Sequence, residues 1–343
     1  MLKQFILTVC CLYTATKVHT QTLGGNAVFN FLNQPNSAQL ASLGGVNISS
    51  ISNDVSMSFH NPALLRTTMD RQLNVSFNAF LAGIGAYTAN TAYHLKDAKL
   101  NIGAGIQYLN YGTLVQTDAA GNILGNFRPR DYMIQIMAAK QYKERFWFGV
   151  TGKFIQSNYG QYKSAALAVD IGLTYYDSAA GLQSSVVIKN LGTQINTYAN
   201  NIQKEELPFD LQAGISKRLL NAPFQFSLTA HNLHRLNIYY NDSTFNNTEG
   251  DTRSNGIQKI TAHLILSTQV YLSDHVELSL GYNFLRRQDL NVFGATSGLN
   301  GFSFGTALLF NKLQIRYATG FYQRNLFNQF SLNFNFAGTS INK

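Results

Sequence analysis

Residues 165 to 175 read AALAVDIGLTY, and the order of these residues decides the fold. Side chains of a strand alternate between its two faces, so Ala165, Leu167, Val169, Ile171, Leu173 and Tyr175 share one side. Ala166, Ala168, Asp170, Gly172 and Thr174 share the other. One face is apolar throughout and the other carries a carboxylate among small groups, which means that the strand separates two different solvents.

The same division recurs along the chain from residue 72. Leu73, Val75, Phe77, Ala79 and Leu81 oppose Asn74, Ser76 and Asn78, and Leu100, Ile102, Ala104, Ile106 and Tyr108 oppose Asn101, Gly103, Gly105 and Gln107. Near the C-terminus Phe330, Leu332, Phe334 and Phe336 oppose Ser331, Asn333 and Asn335. Turn-bounded segments of this kind predict strands at 72–81, 83–95, 99–112, 130–141, 145–158, 162–176 and 181–190. In the second half they predict 207–217, 223–234, 258–272, 275–287, 300–311, 313–323 and 328–337. The total is about 14, and most are long enough to cross a bilayer at a tilt.

Connections and charges give two further readings of the same kind. A membrane barrel has short turns at one rim and longer loops at the other. The brief turns are 96–98, 142–144, 177–180, 218–222 and 273–274, interleaved with connections that include 113–129, 191–206, 236–257 and 288–299. That alternation predicts an outward-running first strand and periplasmic N- and C-termini. An ionised Lys or Arg on the lipid face costs about 2 to 4 kcal/mol at the midplane. Lys153, Asp170, Lys189, Asp210, His231, His263, Glu277 and Arg316 all fall on the polar face, where opposite charges can pair across a lumen. A soluble antiparallel sandwich also alternates, but does not account for so apolar an outer face together with an export signal.

That signal is read at 1–20, where Lys3 precedes an apolar run from Phe5 to Leu12. Cys10 and Cys11 are the only cysteines and lie inside the run, which leaves no thiol after residue 11 for a disulfide, zinc ligand or nucleophile. Lipid attachment at Cys11 is disfavoured because Cys10 stands where a small Gly, Ala or Ser is expected. Loss of Lys3 and Lys17 takes the net charge from +9 to about +7, compatible with anionic lipid or polysaccharide; no basic block with interleaved aromatics suggests nucleic acid.

Motifs that carry chemistry elsewhere are weak here. Gly103-Ala104-Gly105 opens like a dinucleotide fingerprint, but Tyr108 takes the third glycine position and no helix follows. His231 and His234 have a spacing that suits a metal on a helix, whereas residues three apart on a strand face opposite sides. Asp242, Glu249 and Asp251 lack the ordered spacing of a calcium loop. No serine stands in an elbow or a fixed relation to a histidine, so the expectation is a non-enzymatic protein with no metal and no cofactor.

The segment before the first strand, GGNAVFNFLNQPNSAQLASLGGVNISSISNDVSMSFHNPALL at 24–65, is the most distinctive part of the chain. Its ordered features are Leu43-Gly44-Gly45, then Asp54, then Phe59, Asn61, Pro62 and Ala63, preceded by the block FNFLNQPNSA at 29–38. This series resembles the PorQ family of outer-membrane proteins of the type IX secretion system, and more broadly the barrels related to PorV and to the long-chain fatty-acid channel. The resemblance implies an outer-membrane barrel of a Bacteroidetes-type bacterium whose N-terminal segment folds into the lumen. It also implies a surface partner of PorZ type held by the outer loops, within the PorU/PorV complex that attaches cargo to lipopolysaccharide. The physical features agree with a plug at 21–71: glycine permits a tight path, Pro62 disfavours helix, and irregular backbone at membrane depth needs a polar lumen around it. The expected layout is thus signal 1–20, plug 21–71, barrel 72–337 and a periplasmic tail 338–343. The alternative function is transport of small hydrophobic molecules. The inward faces, mostly Asn, Gln, Ser, Gly and paired charges, disfavour it, because it requires an apolar pocket in the lumen.

Overall fold

The computed structural model describes residues 27–80, 83–198, 203–235, 238, 256–290, 298–322 and 325–337. The signal at 1–20, the start of the plug at 21–26, the acidic loop at 241–251 and the tail at 338–343 lie outside the described residues. Alternating segments fold as strands because each presents an apolar row to one side and hydrogen-bonding side chains to the other. The first are β1 (Gln72–Ala79), β2 (Gly85–Leu95) and β3 (Leu100–Asn110), followed by a small hairpin, β4 (Leu114–Thr117) and β5 (Ile123–Phe127). Then come β6 (Arg130–Tyr142), β7 (Phe146–Tyr159), β8 (Tyr162–Asp177), β9 (Leu182–Asn196), β10 (Asp210–Arg218) and β11 (Phe224–Ala230). The last are β12 (Leu264–Ser273), β13 (Val276–Asn283), β14 (Phe302–Leu309), β15 (Leu313–Tyr322) and β16 (Asn325–Asn335).

Leaving out the β4–β5 hairpin, the strands form one closed antiparallel ring of fourteen, the number read from the sequence. β1 pairs with β16, Gln72 opposite Asn335, and β3 pairs with β6 across the hairpin. Closure leaves no unpaired sheet edge, as a lipid environment requires of a spanning sheet.

The outward row is exposed and apolar, including Ile106, Ile134, Ile136, Phe148, Val150, Leu167 and Phe330. Inward residues such as Asn90, Gln107, Gln135, Thr151, Gln183 and Asn333 are buried. A continuous apolar belt around a polar interior is stable in hydrocarbon and unstable in water, so the ring is a transmembrane barrel. Aromatic side chains cluster at both ends of the belt. Phe77, Tyr87 and Tyr108 lie in sequence at ring separations of 5.1 and 6.2 Å near one rim, and Phe146 packs on Tyr175 at 5.3 Å near the other. Such rings suit the boundary between lipid tails and headgroups.

The rim at which β1 begins and β16 ends carries brief connections and is called the turn rim; the other is the loop rim. All the long connections lie on the loop rim, but that rim also holds the tight turn Tyr159–Tyr162, with Gly160 at φ +66°. Several expected boundaries move. The connection at 113–129 contains the β4–β5 hairpin, and β9 runs on to Asn196 through a bulge opposite Val169 to Ile171. Residues 258–263 are not strand: helix α2 (Gly256–Thr261) precedes β12. Residues 284–287 belong to helix α3 (Phe284–Asp289), capped by the Asn283 side chain, which accepts from the Arg286 N–H at 2.9 Å. Local hydrophobic alternation continued into both segments, but once past the ring they had no neighbouring strand to pair with, and helix satisfies the backbone internally.

Residues 27–71 run inside the ring. The path starts at the loop rim, where the Val28 N–H donates to the Glu206 carbonyl at 3.0 Å. The first described residue therefore lies at the rim opposite Asn335, and Val28, Phe29, Phe31 and Leu32 pack there against Leu109, Met133, Ile155 and Leu207. Helix α1 (Ala38–Ser42) follows, with the Ser37 hydroxyl at its N-cap, and the Ala38 N–H donates to Ser331 Oγ at 2.7 Å. The chain then crosses to the turn rim and enters β1.

Candidate functional site

The inner segment is held by side chains that its sequence places at turns. Asp54 caps the 3-10 turn Val55–Phe59 by accepting the Ser56 N–H at 2.9 Å. Its other carboxylate oxygen lies 3.2 Å from Arg316 Nε, and Arg316 Nη1 reaches Glu277 at 3.1 Å. Gln269 Nε2 donates to the remaining Glu277 oxygen at 2.6 Å. One arginine on β15 thus ties a plug carboxylate to a wall carboxylate, all three at most 5 % exposed. Buried charges of this kind persist when each has a partner, and removal of one leaves the others uncompensated.

The remaining motif residues are structural in the same sense. Asn61 Oδ1 accepts the Ala63 N–H at 2.9 Å, which caps the turn Pro62–Leu64, and its Nδ2 donates to the Ile48 carbonyl at 2.8 Å and to Thr174 on β8 at 3.3 Å. Pro62 occupies the first position of that turn, where its missing N–H costs nothing. Its carbonyl lies directly over Gly149 on β7, so close that a β-carbon on Gly149 would fall 2.5 Å from the Ala63 nitrogen. Phe59 fits over Gly105 in the same way, at 2.9 Å from where a β-carbon would be. Gly44 and Gly45 both have φ +92°, and their turn brings the Gly44 carbonyl to Arg286 Nη2 at 3.1 Å. The structure brings Gly44, Gly45, Asp54, Phe59, Asn61, Pro62 and Ala63 into the lumen, but spreads them along the wall instead of gathering them at one chemical centre.

Deeper in the wall Lys153 pairs with Asp170 at 2.6 Å and donates to Asn190 Oδ1 at 2.9 Å. Lys189 meets the His60 Nδ1. His231 lies one residue past β11 with its ring against the Asn232 amide, and its carbonyl meets His263 Nδ1 at 2.8 Å. His234 packs edge-on against Phe209, with ring centroids 4.9 Å apart.

The inner segment leaves a hollow at each end. At the loop rim a cavity of about 560 Å³ is walled by Phe80, Ile84, Leu109, Tyr111, Leu285 and Phe327. Its floor is polar: His60, Lys189, Asp210 and Asn78. Tyr111 donates to Asp131 at 2.6 Å, and burial followed by that bond raises its pKa, which keeps the phenol protonated. At the turn rim a second cavity of about 780 Å³ is lined by Arg66, Arg145, Arg218 and Arg316 with Asp177 and Glu277. The first can hold an apolar body, the second a charged one.

Inward faces read as mostly Asn, Gln, Ser, Gly and paired charges argued against an apolar cavity in the lumen, which the structure nevertheless holds, although a signal for it exists. Leu109, Met133 and Ile155 occupy the inward positions of β3, β6 and β7 near the loop rim, at the parity of Gln107, Gln135 and Lys153; all three pack on the inner segment, and Leu109 also walls the cavity. An apolar residue on the polar parity marks a place where something apolar sits in the lumen. Arg66 was not singled out, because a lone arginine after Leu64-Leu65 has no motif around it.

No protein-family model and no curated protein matches the chain. Among solved structures, the CymD monoaromatic hydrocarbon channel aligns at a TM-score of 0.50 and 13% identity over 89% of this chain and 97% of that one. A Pseudomonas aeruginosa FadL homologue aligns at 0.50 and 10% identity over 88% and 98%. At such identities the likeness concerns the architecture: a closed fourteen-strand barrel is common to this chain and to outer-membrane barrels of that type.

Proposed function

We propose that this chain is an outer-membrane barrel, not an enzyme, that admits a small hydrophobic compound at its loop mouth. The observation that carries the reading is the apolar cavity walled by Phe80, Ile84, Leu109, Tyr111 and Phe327 above a polar floor. Burial in such a cavity favours binding by roughly 25 cal/mol per Å² of apolar surface removed from water. The architecture shared with a hydrocarbon channel supports it. In this reading the loop rim faces the exterior and the turn rim the periplasm, and passage requires the inner segment to shift. The test uses the purified full-length protein in neutral detergent and in vesicles, with radiolabelled toluene and a long-chain fatty acid as probes. Saturable binding that Phe80→Asp weakens about tenfold or more supports the proposal; no saturable binding of either probe rejects it.

A second reading, an anchor for a PorZ-like surface partner of the type IX secretion machinery, is favoured by the β4–β5 hairpin. Leu114, Val115, Ile123 and Leu124 on it are 45 to 74 % exposed, and apolar surface beyond the barrel wall suits a protein contact. Co-purification from outer membranes, with and without residues 114–127, separates the two. Loss of a surface partner on deletion favours the anchor; an unchanged set of co-purifying proteins rejects it.

A further inference from the structure

Arg66 carries a charge that the described residues leave without a counterion. The residue is 8 % exposed and precedes the 3-10 turn Thr67–Met69 at the turn rim. Its guanidinium carbon lies 4.1 Å from the Tyr176 ring centre and 5.8 Å from that of Trp147. The one hydrogen bond runs from Nη2 to Gln183 Oε1, and buried Nε has no partner. Of the carboxylates that share its cavity, Asp177 is held by Arg145 at 3.0 Å and Glu277 by Arg316 at 3.1 Å. Glu144 and Asp274 stand on exposed turns at the edge. Burial lowers the Arg66 pKa to about 10, which leaves the group charged at neutral pH. The aromatic rings offset part of its lost hydration, but a ring face offers nothing to the N–H donors in the guanidinium plane.

We infer that the turn mouth is a binding site for a small carboxylate, anchored by Arg66 between the Tyr176 and Trp147 rings. A planar carboxylate matches the edge of a planar guanidinium and pairs with it through two parallel hydrogen bonds. The Tyr176 and Trp147 rings beside the guanidinium suit the carbon body of an organic acid, which inorganic phosphate lacks. Gln39, Ser52, Thr67 and Thr68 line the hollow and supply polar contacts to the rest of a short organic acid. The site lies at the rim opposite the apolar cavity and does not depend on what occupies the loop mouth.

Trp147 is the one tryptophan in the sequence, so intrinsic tryptophan emission reports on this site alone. The full-length protein in neutral detergent is titrated at constant ionic strength with acetate, succinate and inorganic phosphate. Acetate and succinate are expected to give a saturable emission change, and phosphate at equal concentration none. Arg66→Gln is expected to abolish the change. Arg66→Lys keeps the charge but loses the planar fork and is expected to weaken acetate by about tenfold or more. Folding of each variant is checked by its mobility on gels without heating; if Arg66→Gln does not fold, Arg66→Lys decides. No saturable change in the parent, a stronger response to phosphate than to acetate, or unaltered titration of a folded variant overturns the site.

Discussion

The two mouths of this barrel are built from the same strands and offer opposite chemistry. Near the loop rim the inward positions of β3, β6, β7 and β16 carry Leu109, Met133, Ile155 and Phe327. Near the turn rim those of β9, β11, β13 and β15 carry Gln183, Gln225, Glu277, Gln314 and Arg316. The inner segment follows the same gradient: Val28, Phe29, Phe31 and Leu32 stand at one end, and Asp54 and Arg66 lie toward the other. A lumen is therefore not uniform along its axis; each level is matched to the piece of chain that fills it.

The strongest way to break this contrast is to unpair the turn-side charges. Arg316→Met leaves Asp54 and Glu277 buried without their cation and is expected to cost about 3 to 5 kcal/mol. The loss is measured by urea unfolding of the barrel in micelles, and a change under 1 kcal/mol, on the order of an exposed pair, would mean that the charges reach water. Gly149→Ala forces a β-carbon into the backbone at Pro62 and Ala63, and is expected to destabilise by about 1 to 3 kcal/mol. Wild-type stability in that variant would show that the inner segment is not seated on β7.

Phe80→Asp puts an unpaired carboxylate into the wall of the loop-side cavity and is expected to weaken a hydrophobic probe about tenfold or more. The acetate response at Trp147 should be unchanged in the same protein, which makes the two mouths separable by one substitution. Asn61→Ala removes the cap at Ala63 and the bonds to Ile48 and Thr174, for an expected loss of about 1 to 2 kcal/mol by the same unfolding measurement. The result sharpens how much of the seating comes from hydrogen bonds in a lumen where water competes.

Much of the barrel was legible in order of residues alone. Period-two alternation is a local property, and at 165–175 it is visible without any knowledge of neighbours; the number of strands follows by counting such segments. Strand ends were less legible at 258–263 and 284–287, because a strand continues only where a partner strand continues beside it. The bulge in β9 escaped notice for a related reason: Lys189 and Asn190 both turn inward to meet His60 and Lys153, and those partners are 129 and 37 residues away. The two mouths were the least legible. Arg66, Tyr176 and Trp147 lie far apart in sequence, and so do Phe80, Leu109 and Phe327.

The amino-acid sequence by itself determined the solvent pattern of this protein: apolar outside, polar inside, strand after strand, because alternation is written into consecutive residues. Tertiary structure alone decided where charge is compensated and where it is not. Arg316 finds Asp54 and Glu277, whereas Arg66 finds two aromatic rings and a glutamine. The physical reason is that pairing depends on distance through space, and ring closure brings residues together by height along the barrel axis and not by position along the chain.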